Sequence, residues 1–227
     1  EILQILQPTK AWFGGLLIAL ACLGHQTRFV SVVTDNALGQ GARNEVRRYG
    51  VDTQYVQFTP GRMGLYFLTP GAIRRAPEII YDRADSAFAL AESDQIDWAA
   101  PFQGAGWFHI SGITPAVSSK AAAAALRAVD AAKAAGLTVS FDCNYRSKLW
   151  EAWKGDGPGT IRALVERVDV LFGDHRDVSL ILGRSFGDSQ QAPRQAAAKA
   201  AFDAFPKLQR MICTQRVQHS VDHHDLS

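Results

Sequence analysis

Trp107-Phe-His-Ile110, then Ser118 through Ala135, then Leu137-Thr-Val-Ser-Phe141: these consecutive stretches decide the fold class. The first and last are short apolar runs with the length of buried strands, while the middle one is rich in alanine, the residue of highest helix propensity. Ser118 or Ser119 can cap that helix, and Gly136 suits its C-terminal exit. The alternation then continues. A helix is expected from about Pro158 to Arg167, followed by the strand Val168-Asp-Val-Leu-Phe172, a helix near Val178–Leu182, an alanine-rich helix around Pro193–Phe205 and the strand Arg210-Met-Ile-Cys213. Strands joined through helices in this way predict right-handed crossovers and a parallel sheet covered by helices, an α/β fold.

Nearer the N-terminus the pattern differs. Between Thr59 and Ser86, Gly64-Leu-Tyr-Phe-Leu68 and Glu78-Ile-Ile-Tyr-Asp-Arg83 are strand-like and flank the turn-forming pair Pro70-Gly71. A hairpin is expected there, of the kind that serves as a lid over a site on an α/β body. Its free strand edge could also pair across a homo-oligomer. The apolar run from Gly15 to Leu23 reads as a buried helix; it is too short to cross a bilayer and lacks the basic flank of a signal peptide, so no membrane segment is expected.

Composition narrows the function classes. The chain has 227 residues, 47% of them hydrophobic and 20% charged, enough to bury a sizeable core. With 24 basic and 22 acidic residues the net charge is +2, which gives no basic field for nucleic acid and points to a small-molecule partner. Cys22, Cys143 and Cys213 are far apart with no CxxC pairing, so no disulfide framework or cysteine zinc site is expected and a cytoplasmic setting fits.

In an open parallel sheet, ligands bind beyond the carboxyl ends of the strands. The residues there are polar: Ser111-Gly112, Asp142-Cys-Asn-Tyr-Arg146, Gly173-Asp-His-Arg-Asp177 and Thr214-Gln-Arg216. Carboxylates, an amide and guanidinium groups converging on one edge would suit magnesium, phosphate and polyol hydroxyls, and so phosphoryl transfer. The same residues also read as helix caps in ordinary polar loops, and from the residues alone that reading is preferred. His109, inside a strand, is expected to be a packed core residue, and His219, His223 and His224 a solvated segment.

Several motifs, taken in order, resemble a known family. Ser111-Gly112-Ile-Thr-Pro115, Phe141-Asp-Cys-Asn-Tyr-Arg-Ser-Lys-Leu-Trp150 and Val168-Asp-Val-Leu-Phe172, with Gly50-Val-Asp-Thr53, Gly64-Leu-Tyr-Phe67 and Tyr81-Asp-Arg83 before them, are similar to the ribokinase-like PfkB carbohydrate kinases, above all the 2-keto-3-deoxygluconate kinases. The resemblance covers roughly residues 29–184. It implies a ribokinase-like three-layer body with a β-hairpin lid at residues 59–86, and ATP-dependent, magnesium-assisted phosphorylation of a sugar acid. It further implies that Gly14 and Gly15 begin a glycine-rich substrate loop, that Tyr66, Tyr81, Arg83 and Arg146 contact the sugar acid, with Arg83 on its carboxylate, and that Asn144, Tyr145, Arg146, Asp174 and Asp177 serve ATP and its phosphates. Lys148 is expected to be solvated.

Two departures bear on that reading. Gly15 runs directly into Leu16, without the Asn that normally follows the glycine pair, and Asp174 and Asp177 stand where the family has Asn-x-x-Glu. No Gly-Ala-Gly-Asp motif occurs in the sequence, so the resemblance places the Asp base and the nucleotide-binding end beyond Ser227, and residues 1–227 read as an incomplete kinase domain. The alternatives are a PfkB kinase for another sugar or sugar acid, and a catalytically inactive sugar-binding homologue.

Overall fold

The computed structural model describes residues 12–69, 78–187, 192–214, 216–218 and 224–226. The chain divides into two compact units, Glu1–Gln95 and Ile96–Ser227.

In the first unit, α1 (Trp12–Cys22) precedes a βαβ element, β1 (Ser31–Thr34), α2 (Ala37–Arg47) and β2 (Val56–Thr59), whose strands pair in parallel from Ser31 against Val56 to Thr34 against Thr59. Asn36 caps α2, its side chain accepting from the Leu38 and Gly39 amides. Gly39 lies so close to β1 that a Cβ there would sit 1.8 Å from the Thr34 carbonyl oxygen. Ile18, Val46 and Val51 form a small core with Phe29 and Tyr49. Only one face of α1 is buried, since Leu16 and Cys22 are exposed, and Gly14 and Gly15 lie inside this helix. The expected glycine loop is corrected by this geometry, because the stretch of good helix formers that follows the pair carries the helix back through it, and the helix expected to be buried is buried on one face, at Ile18.

The unit ends in the antiparallel hairpin β3 (Leu65–Thr69) and β4 (Glu78–Asp82), with Tyr66 opposite Tyr81 and Phe67 opposite Ile80, and then the short helix α3 (Ala87–Leu90), which Ser86 caps and which packs on β1. The expected turn at Pro70-Gly71 lies outside the described residues. Arg62 ties the hairpin's base, pairing with the Asp82 carboxylate and donating to the Ala84 carbonyl oxygen at 3.1 Å.

The second unit starts with α4 (Ala99–Phe102) and holds a four-stranded parallel sheet in the order β5 (Trp107–Ser111), β6 (Thr138–Asp142), β7 (Val170–Phe172), β8 (Arg210–Ile212). Between β5 and β6 run α5 (Ile113–Ala116) and α6 (Ser119–Ala134). Ser118 caps α6 through the Ala121 amide at 3.1 Å, and Gly136 closes it with φ +79°, where the Leu137 amide donates to the Ala132 carbonyl oxygen in a Schellman arrangement. Ala121, Ala125, Ala128, Val129 and Ala132 form its buried stripe. The next crossover carries α7 (Ser147–Glu151), absent from the sequence reading, and α8 (Gly157–Val165), which Asp156 caps ahead of Pro158; the last carries α9 (His175–Leu182) and α10 (Ala192–Ala204).

β6 is buried on both faces, with Val139, Ser140 and Phe141 shielded, and its neighbours Ile161, Leu164, Val165, Leu171 and Trp150 complete the core. β9 (Arg216–Gln218) and β10 (His224–Leu226) form a further antiparallel pair, so His224 is in a strand; His219 and His223 lie outside the described residues.

At the N-terminal edge of the sheet, the buried Asp169 accepts from Lys133 Nζ at 2.7 Å and from the Val139 amide at 2.7 Å, while its own carbonyl oxygen accepts from the Gln209 and Arg210 amides. One residue thus joins α6, β6, β7 and the approach to β8. Asp169→Ala strands a buried amide and an ammonium group, and a loss of about 2–3 kcal/mol is expected in urea unfolding. Gly39→Ala is expected to destabilise as well, although an exposed helical Gly→Ala normally gains up to about 1 kcal/mol, because the new methyl collides with β1. A stabilised Gly39→Ala protein would show that α2 sits farther from β1.

Candidate functional site

In the second unit β5 and β6 end in the polar residues Ser111 and Asp142, β7 is followed by Gly173 and Asp174, and the loops after the strands interlock. The Gly112 amide donates to the Asp142 carbonyl oxygen at 2.7 Å, the Cys143 amide to the Phe172 carbonyl oxygen at 2.9 Å and the Gly173 amide to the Ile212 carbonyl oxygen at 2.9 Å. The fit at Gly112 admits no side chain, since a Cβ there would come within 2.0 Å of the Cys143 carbonyl oxygen. The β5 loop and the β6 loop therefore meet backbone to backbone. Asn144 takes up φ +35°, a left-handed conformation that Asn tolerates better than most residues, and its amide donates to the buried Ser111 hydroxyl at 3.4 Å.

The edge is rich in carboxylates. Asp174 caps α9 through the Arg176 amide at 2.8 Å, and Asp177 returns the bond by accepting from the Asp174 amide at 2.8 Å, a reciprocal capping box. Asp177 also accepts the thiol of the fully buried Cys143. Partial burial, together with the charge of Asp177, lifts Asp142 to about 6, against the nearby Arg146 and the Asn144 amide, which pull it down. Asp177 is likewise raised, by burial first and then by Asp174. Asp174 behaves oppositely: burial works against its charge, but hydrogen bonds and attraction from Arg176 outweigh that and hold its carboxyl low. Burial keeps the Cys143 thiol protonated.

Of the residues expected to serve ATP, Asn144, Arg146, Asp174 and Asp177 share this edge. Arg146 is exposed, its guanidinium donating to the Tyr145 carbonyl oxygen at 2.8 Å. The Tyr145 ring instead packs on the hydrophobic core, near Trp150 and Gly157. Lys148 is exposed, as its sequence suggested. Asp142 was not singled out by residue type, although its place at the end of a doubly buried strand, one residue before a buried cysteine, is the signal that marks it. His109 is half-buried, its Nδ1 2.8 Å from the Ser140 hydroxyl and its ring edge-on to Phe172, and burial lowers it to about 4. It packs in the core as a neutral ring.

Among the described residues no three His, Cys, Asp or Glu side chains converge as a metal cage. Magnesium does not need one, because it usually keeps its waters and binds through one or two carboxylates together with substrate phosphates. The close, mutually repelling Asp142 and Asp177 fit a cation that arrives with its phosphates.

In the first unit, Tyr66, Tyr81 and Arg83 come together on the hairpin. The Arg83 guanidinium lies over the Tyr81 ring at 4.9 Å, and Tyr81 is the cross-strand partner of Tyr66. Burial lowers Arg83 while both tyrosines favour its charge. No carboxylate pairs with it among the described residues, so its planar fork of donors is open to an anion.

Asp142 is protonated more readily in the folded chain than in the unfolded one. Its charge therefore opposes folding above about pH 6, and that opposition fades as the pH falls toward 4. Asp142→Asn should be the more stable protein at pH 8, with the difference shrinking toward pH 4.5; denaturant titrations at both values, showing no difference at either, would contradict the burial described here.

The model of the pfkB family carbohydrate kinases matches residues 16–214. The 2-dehydro-3-deoxygalactonokinase of Haloferax volcanii is 34% identical over 165 residues, 73% of this chain and 51% of that protein. The 2-dehydro-3-deoxygluconokinase of Bacillus subtilis is 30% identical over 134 residues, 58% of this chain and 40% of that one. The chain thus spans about half, or less, of the length of these curated relatives. The crystal structure of 2-dehydro-3-deoxygluconokinase from Thermotoga maritima superposes with a TM-score of 0.84 at 32% identity, covering 93% of this chain and 63% of that one, and shows the ribokinase-like α/β fold here. Fold and motifs agree with the family match: the chain belongs to the pfkB family of carbohydrate kinases.

Proposed function

We propose that this protein is an ATP-dependent sugar-acid kinase that transfers the γ-phosphoryl group to the primary hydroxyl of 2-keto-3-deoxygluconate. The observation that carries the choice of substrate is Arg83: a half-buried guanidinium, braced on Tyr81 and with no carboxylate partner among the described residues, is built to receive an anion. A neutral sugar has no use for it. The relatives named for 2-dehydro-3-deoxy sugar acids support the same choice.

In this reading Arg83 takes the carboxylate, and Tyr66 and Tyr81 offer hydroxyls and ring faces to the sugar. Asn144 and Arg146 would orient the phosphates, with Arg146 balancing charge on the transferring group. Asp177, with Asp142 beside it, would hold magnesium through its waters, and the ion bound there supplies charge neutralisation for the phosphates; Asp174, whose oxygens are taken by Arg176, would serve only as the cap of α9. The proton of the attacking hydroxyl needs a base, for which we propose the Asp of a Gly-Ala-Gly-Asp segment that residues 1–227 do not contain. Positioning and electrostatics do most of the work in such a reaction.

A coupled ADP-release assay on the full-length protein tests this, with ATP, magnesium and 2-keto-3-deoxygluconate compared with gluconate, ribose and fructose. Turnover selective for the keto-deoxy acid is expected. Turnover only with a neutral sugar would overturn the substrate, and ligand binding without turnover would overturn the activity. Arg83→Ala should lower kcat/KM for the acid by roughly tenfold to a hundredfold, the scale of one charged hydrogen-bonding contact, and leave discrimination against fructose largely lost.

A further inference from the structure

Arg176 extends from the first turn of α9, and its side chain is 81% exposed, yet it does not wander into solvent. It folds back on Asp174, with Nη2 at 2.6 Å and Nε at 2.9 Å from the same Oδ2, while the other oxygen, Oδ1, accepts the Arg176 main-chain amide at 2.8 Å. Arg176 thus engages both oxygens of Asp174, and the Asp177 amide adds a longer bond to Oδ1 at 3.4 Å. The need is visible from the neighbours. Asp142, Asp174 and Asp177 stand together at the ends of β6 and β7, where Arg146 acts on Asp142 and Arg176 on Asp177 as well as on Asp174. An approaching polyphosphate would meet that acidic group first.

We propose that Arg176 is a positioning residue for the nucleotide: by pairing with Asp174 it removes one negative charge from the edge and fixes the cap, so that the ATP phosphates can approach. This rests on the kinase reading above. The role is electrostatic and acts through Asp174, so it predicts a pattern that loss of a surface contact would not give. Neutralising Arg176 alone leaves Asp174 unbalanced, whereas neutralising both members removes the imbalance.

The test is ATP affinity and steady-state kinetics of the full-length protein and of three variants, Arg176→Gln, Arg176→Lys and Asp174→Asn/Arg176→Gln, at low and at high salt. Arg176→Gln should weaken ATP binding and raise KM for ATP about fivefold at low salt, with a smaller change in kcat, as expected for one unit charge acting across several ångströms near the surface. The effect should shrink at high salt. Arg176→Lys should recover most of the loss, and so should the double variant, even though its melting temperature stays as low as that of Arg176→Gln. Equal ATP affinity for Arg176→Gln and the unsubstituted protein at low salt overturns the inference while leaving the kinase reading intact. A double variant no better than Arg176→Gln overturns it too, by showing a structural cap and nothing more. An unsubstituted protein that binds no ATP overturns the kinase reading, and this inference with it.

Discussion

The second unit depends on the burial of β6 on both faces. A strand enclosed by helices above and below has no water along its length, so its polar groups must be satisfied by its neighbours and its only open ends are the two edges of the sheet. At one end the chain answers with Asp169, which binds an ammonium group and a strand amide and feeds two further amides through its carbonyl oxygen. At the other end Asp142 has the Asn144 amide and the attraction of Arg146, which do not offset its burial beside Asp177. Its charge is tolerated rather than satisfied, and burial lifts it to about 6. The same strand therefore has a settled end and an unsettled one.

That asymmetry explains why the edge beyond β6 and β7 looks functional. Carboxylates that cap helices are common, and Asp174 and Asp177 do cap α9. Capping accounts for Asp174, whose pairing with Arg176 leaves its charge comfortable. It does not account for Asp142 beside Asp177, a half-buried like-charged pair with little compensation, an arrangement that costs stability unless a cation or a proton relieves it.

Much of the second unit was legible in the sequence because its signals are local. The alanine stripe, the Ser118 cap and the Gly136 exit define α6 without reference to anything else, and the strands around it follow from their apolar runs. What escaped depended on distance. α7 is too short to show periodicity. The βαβ element of the first unit hides behind α2, whose glycines lower its helix signal and which needs Gly39 for contact with β1 rather than for its own conformation. The family resemblance implies a loop at the glycine pair before Leu16, whereas the run after it decides for helix. In the site, the motif supplied residue types, but the inward packing of Tyr145 and the burial of Asp142 beside Asp177 arise only when separate loops meet.

Cys143 carries a consequence for experiment. It is fully enclosed between the β6 and β7 loops, while Cys22 and Cys213 are exposed. An alkylating reagent should therefore modify two thiols at once and reach the third only when the carboxylate-bearing edge opens. The chain carries its own clock for local breathing of that edge, readable by mass with no label engineered in.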